Sequence, residues 1–100
     1  MLNQISDTIL AQLGGIRKLM AMIGAHNFVI EEKGFQFTFK GCKKANICRI
    51  LLSPSDTYRF ELYRFKKSEM KLKEIEIIED VYNDQLINVF QESTGLFLLL

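Results

Sequence analysis

The 100-residue chain predicts a single α+β domain over residues 1 to 100, an antiparallel meander of four or five strands with N-terminal and C-terminal helices packed on one face. Three observations carry this. Period-two alternation recurs in consecutive blocks from Asn27 onward, short polar turns join the blocks, and helical spacing is confined to the two ends. Hydrophobic residues make up 48% and charged residues 25%, too apolar for intrinsic disorder. At this length folding buries a little over ~60% of the surface of the unfolded chain, so one modest core is expected.

The first element places Leu2, Ile5, Ile9, Leu10 and Leu13 on one helical face, with Ser6 and Asp7 as candidates for the first turn or the cap. Gly14 and Gly15 end it. Residues 16 to 23 predict a second short helix, with Ile16, Leu19, Met20 and Ile23 facing the core and Gly24 as the stop. His26 then reads as a loop residue. From Asn27, Phe28 and Ile30 alternate with Val29 and Glu31, and after "EKG" Phe35, Phe37 and Phe39 alternate with Gln36, Thr38 and Lys40, which predicts a hairpin. "GCKKAN" is a turn, "ICRILL" a third strand with Cys48, Ile50 and Leu52 on one face, and "SPSD" the turn into a fourth, "TYRFELYRF". "KKSEMKLK" reads as loop, and "EIEIIEDVY" as a fifth strand or an irregular extended segment with Ile75 and Ile77 on one face. The final helix starts with Asn83 as N-cap and Asp84 at the positive end of the dipole, and buries Leu86, Val89 and Phe90. Tyr82 against Ile87 forms a hydrophobic staple in this reading, and Gly95 closes the helix. The terminal "GLFLLL" is expected to pack back onto the core, with contact to another subunit as the alternative, which leaves a homodimer open.

No catalytic or metal signature stands out. The glycine pair follows a helix, and Arg17-Lys18 is followed by Leu, so the stretch is not a P-loop; Arg17 and Lys18 remain candidates for an anion contact at the start of the second helix. His26 is the sole histidine and lacks a nearby nucleophile signature. Cys42 and Cys48 cannot supply four zinc ligands, and without a secretory signal they are expected as reduced thiols. Glu74, Glu76, Glu79 and Asp80 read as the wet face of a strand rather than a metal cluster. The expectation is a non-enzymatic protein without cofactor, in the cytoplasm, with no run of the ~18 apolar residues that a membrane span needs.

Charge is where the chain is unusual. The net charge is only +1, yet residues 40 to 73 hold ten basic residues against three acidic ones, and the remainder holds three basic against nine acidic. Such segregation suits an acidic partner. With Tyr58, Phe60 and Leu62 turned to the helices, Arg59 and Tyr63 face outward, and Lys40 and Arg49 join them from neighbouring strands. Lys43, Lys44, Arg64, Lys66 and Lys67 extend this candidate face, whose residue types suit stacking bases and holding phosphates of DNA or RNA. The alternative is a solubilising face, or one that docks on an acidic protein.

Four stretches in combination, "LGG" at 13 to 15, "MIGAHNF" at 22 to 28, "DTYRFEL" at 56 to 62 and "VYNDQLINVFQESTGL" at 81 to 96, give a resemblance over most of the chain. The chain resembles a group of small, mostly uncharacterised proteins encoded by tailed bacteriophages, prophages and other mobile elements. It departs from them at Leu19, where the group commonly has an aromatic residue. The resemblance implies a phage-type origin, an accessory role in the bacterial cytoplasm, and no particular reaction. A nucleic-acid-binding accessory protein is thus the leading expectation, and a module that docks on a host defence or replication protein the second.

Overall fold

The structure, a computed structural model, describes residues 4 to 96 and 98. Helices α1 (Gln4–Gln12) and α2 (Ile16–Ile23) precede strands β1 (His26–Glu31), β2 (Gly34–Thr38), β3 (Ile47–Leu52), β4 (Tyr58–Lys66) and β5 (Lys71–Val81), and a 3-10 turn (Asn83–Gln85) leads into α3 (Leu86–Thr94). The five strands form one antiparallel sheet in the order β1-β2-β3-β4-β5. The α+β meander predicted from the alternation is the fold observed, and the segment at 71 to 81 is a strand of 11 residues.

One face of the sheet carries the core. Phe35 and Phe37 of β2, Cys48 and Ile50 of β3 and Phe60 and Leu62 of β4 are all but inaccessible, beneath Ile9, Leu10 and Leu13 of the first helix and its end, Leu19 and Ile23 of α2, and Leu86 and Phe90 of α3. Phe90 ties α3 to the sheet through three rings, with centroids 5.3 Å from Phe39, 6.4 Å from Phe60 and 6.5 Å from Phe37. Burying each such ring is worth about 1.5–3 kcal/mol, which outweighs the weak propensity of these short helices.

Gly14 and Gly15 both have positive φ, 104° and 94°, so the joint between α1 and α2 uses the backbone freedom that only glycine has at no cost. Gly34 is needed for a different reason, since a Cβ there would lie 1.9 Å from the carbonyl oxygen of Ile50 on β3. The same glycine's carbonyl accepts from the Ser6 Oγ at 2.8 Å, which ties α1 to β2.

Several local expectations are corrected. Of the two places expected for Ser6 and Asp7, the first turn of α1 is the one they occupy, and Ser6 is buried there. On α2 the inward residues are Leu19, Met22 and Ile23, while Ile16 and Met20 are exposed, because the helix turns its 19/22/23 side to the sheet. His26 is the first residue of β1, its Nδ1–H donating to the Gly24 carbonyl at 2.8 Å. Half of the stretch from 66 to 73 is strand, residue 66 and residues 71 to 73, and residues 67 to 70 form the turn. A bulge at Ile75 breaks the alternation of β5, so Ile75 packs on the core while Ile77 pairs with Glu61 on the other face. Tyr82 rather than Asn83 is the N-cap of the 3-10 turn, and Gln85 is that of α3: the Tyr82 N–H donates to the Gln85 Oε1 at 3.2 Å, and at 59% exposure the Tyr82 ring is not buried as a staple would require. Gly95 closes α3 as expected, and Leu96 and Leu98 pack on the core. The expectations for Leu2, Phe97, Leu99 and Leu100 lie outside the described residues. No helix among the described residues is long and apolar enough to cross a membrane.

Candidate nucleic-acid interface

Most of the residues expected on one basic face separate into two groups on opposite sides of the sheet, and Lys40 and Lys67 belong to neither. On the helix-free side, Arg49 of β3 sits directly opposite Glu61 of β4. Its Nε and Nη2 donate to Glu31 at 2.8 and 2.5 Å, and its Nη1 donates to the Glu61 Oε1 at 3.2 Å. Arg59 donates from Nε to the Glu61 Oε2 at 2.6 Å and from Nη1 to Glu79 at 3.0 Å, and the Tyr63 hydroxyl donates to the Glu61 Oε1 at 2.6 Å. Glu61 is 2% exposed, although alternation puts it on the wet face, because these three side chains lie over it. Sequence reasoning missed it: the signal available was an acidic residue between two arginines and a tyrosine at strand spacing.

Burial pushes the Glu61 carboxyl up, but the hydrogen bonds from Tyr63, Arg59 and Arg49 outweigh it and hold the group below the usual carboxylate value. The hydrogen bonds to Glu31 lead in holding the Arg49 guanidinium above its ordinary value, against desolvation. Glu61 likewise raises Arg59 and the Tyr63 phenol. Arg49, Arg59 and Tyr63 are therefore committed to carboxylates inside the fold. A phosphate would have to displace preformed, charge-assisted bonds to reach them.

The second group lies where the β4–β5 hairpin runs past the helices. Arg64 pairs with Lys73 and Lys66 with Lys71, so two basic residues on one strand face two on the next. Strand alternation puts all four on the side of Leu62, the core side. Lys43 and Lys44 come in from the β2–β3 loop, and the six side chains with Glu69 and Ile75 line an open depression of about 490 Å³. Within this group only Lys66 has an ion-pair partner among the described residues, Glu69 at 3.4 Å, with both side chains about half exposed or more. Lys71 and Lys73, in a stretch whose sequence reads as loop, stand on β5, and their strand placement completes the cluster.

Asn46 sets the position of this end. Its Nδ2 donates to the Phe65 carbonyl at 3.0 Å, and its Oδ1 accepts from the Phe65 N–H at 2.8 Å. The amide thus substitutes for a strand residue and holds the backbone between Arg64 and Lys66.

The other sequence candidates stand apart. Lys40 follows β2, its N–H donating to the Ile23 carbonyl at 2.8 Å and its stem covering Gly24, so it joins neither group. Lys67 is in the hairpin turn and lines a different depression, with Phe65, Met70, His26 and Asn27. Arg17 is exposed on α2 and the Lys18 stem packs over Gly14; neither lines the basic depression. Cys48 is buried in the core, which pushes its thiol up, with Glu61 adding to the shift, so it is not an activated nucleophile. No group of three or more His, Cys, Asp or Glu side chains among the described residues is placed to hold a metal ion. No family model matches the chain, and neither the curated proteins nor the solved structures contain a significant match, so the interface stands on its geometry alone.

Proposed function

We propose that the chain is a small, non-enzymatic accessory protein that binds nucleic acid through the basic end of its β4–β5 hairpin. The observation that carries this is the register, Arg64 against Lys73 and Lys66 against Lys71. Like charges directly opposite in a sheet oppose folding, and a solubilising face would be served better by alternating signs. A polyanion turns that repulsion into attraction. Arg49, Arg59 and Tyr63 are left out of the interface, since Glu31, Glu61 and Glu79 already hold them. The phage-type sequence resemblance fits such a role in a bacterial cytoplasm. Fluorescence anisotropy with labelled single-stranded DNA, duplex DNA and RNA at low salt tests it: binding that Lys66→Glu weakens at least tenfold supports the reading, and no binding to any of the three overturns it.

A second reading, docking on a host protein, rests on the helix-free face, where Val29 and Leu72 are 49% and 59% exposed beside the Glu61 network. A pull-down in which Leu72→Lys and the unaltered protein recover the same proteins from bacterial lysate would count against that face.

A further inference from the structure

Resting on the nucleic-acid reading, we infer that each cross-strand pair of cations grips one phosphate, so that the site takes consecutive phosphates of a strand and reads no base. Arg64 and Lys73, like Lys66 and Lys71, are Cα partners in the register, which sets their side chains about 5 Å apart at the root. The two pairs follow one another at two-residue spacing along β4, roughly 6.8 Å. Flexible stems from such roots converge on one anion per pair, and the step between pairs is on the order of the step between neighbouring phosphates. Lys43 and Lys44 line the depression from the β2–β3 loop and supply a third contact.

Among the described residues, none that lines this depression is suited to reading a base. The lining is basic apart from Glu69 and Ile75, with no aromatic ring. The hairpin's own aromatics, Tyr63 and Phe65, alternate onto the opposite face, where the Tyr63 hydroxyl is bound to Glu61. Phe35, Phe37, Phe39, Phe60 and Phe90 are buried in the core. The Asn46 amide, the group best suited to an adenine edge, is spent at both ends on Phe65. A stacking platform of the kind single-strand binders use is therefore missing from the basic side among the described residues.

The salt dependence separates paired from single contacts. Three phosphates released from their counterions on single-stranded DNA give a slope of log K against log salt of about −2, and six separate contacts give about −4. The experiment measures anisotropy of labelled oligothymidylate and of a mixed-sequence strand of equal length over a salt series, with inorganic polyphosphate as competitor. Expected are equal affinities for the two single strands within about twofold, displacement by polyphosphate, and a slope near −2. Removing one station with Lys66→Gln plus Lys71→Gln is expected to change the slope by about 0.7. That variant relieves a repulsion and keeps its fold, which its urea transition verifies. No binding by the unaltered protein overturns the function itself. Binding that differs several-fold between the single strands, resists polyphosphate, has a slope near −4, or keeps its slope in the double variant overturns the paired-phosphate site and leaves nucleic-acid binding standing.

Discussion

The two faces of the sheet hold the same kinds of side chain to opposite ends. Around Glu61, cations alternate with carboxylates across four strands, β1, β3, β4 and β5, and the Nε, Nη1 and Nη2 of Arg49 and the Nε and Nη1 of Arg59 each meet a carboxylate. At the hairpin end, cation faces cation, and the carboxylate within reach is the exposed Glu69. The first arrangement stabilises the fold by its own content. The second has no such internal balance. Charge composition alone does not distinguish these two arrangements; the register does.

The sharpest way to break the comparison is to remove the hub. Glu61→Gln leaves two guanidinium groups and a phenol around an amide that satisfies one acceptor site. Because Arg49 and Arg59 are each about a third exposed, water recovers part of the loss, and the expected destabilisation is about 2 kcal/mol by urea unfolding. A midpoint shift equivalent to less than about 0.5 kcal/mol would show the network to be ornamental. Binding to nucleic acid at the hairpin end should persist in the folded fraction.

The same hub gives a pH dependence. The folded-state Glu61 carboxyl titrates below its unfolded value, so its contribution is present above the ordinary carboxylate range and is lost as the pH falls through the lower, folded value. Unfolding free energy should therefore drop more steeply on acidification below about pH 4.3 in the unaltered protein than in Glu61→Gln. Parallel curves would mean that other carboxylates carry the acid sensitivity.

Asn46→Ala tests whether position as well as charge matters at the basic end. It removes two hydrogen bonds to Phe65 without touching a charge, with an expected cost of about 1–2 kcal/mol and faster amide exchange in the hairpin beyond Leu62. Affinity should fall several-fold although the six cations remain. Unchanged affinity would show that the cluster acts as a diffuse charge.

Much of the architecture was legible because period-two alternation and turn residues are local signals. Phe35/Phe37/Phe39 and Tyr58/Phe60/Leu62 announced their faces from spacing alone. What spacing does not contain is which residue stands across from which. The bulge at Ile75, the burial of Glu61 and the opposition of Lys66 to Lys71 all follow from pairing between strands, and each changed the site. Lys71 and Lys73 were hidden for a related reason: a polar run such as "KKSEMKLK" is locally identical whether it is a loop or the end of a long hairpin. Cap placement at Tyr82 was similarly ambiguous, since Asn83 has the better capping side chain but the chain enters the helix one residue earlier.

Converting one like-charge pair into an opposite pair should separate stability from binding. Lys71→Glu faces Lys66 with a carboxylate, so the protein gains about 0.5 kcal/mol while affinity for nucleic acid falls at least tenfold. Movement of both quantities in the same direction would contradict a surface kept at the expense of the fold.

The smallest effect expected is at Glu69. Its bond to Lys66 is long at 3.4 Å and joins two exposed side chains, so Glu69→Gln should change stability by no more than about 0.3 kcal/mol. Among the described residues it is also the one carboxylate lining the basic depression, and it competes there with any incoming phosphate. Its neutralisation frees the Lys66 ammonium and removes a repulsion, so affinity should rise about two- to threefold at low salt, and the gain should shrink as salt screens the charge. A matched substitution at Glu79, which bonds Arg59 on the other face at 3.0 Å, removes an equal charge and should leave affinity unchanged apart from a weak long-range contribution. Equal gains from the two substitutions would mean that net charge alone governs binding. A gain confined to Glu69 would place the anion at the hairpin end, on the side of the sheet away from the Glu61 network.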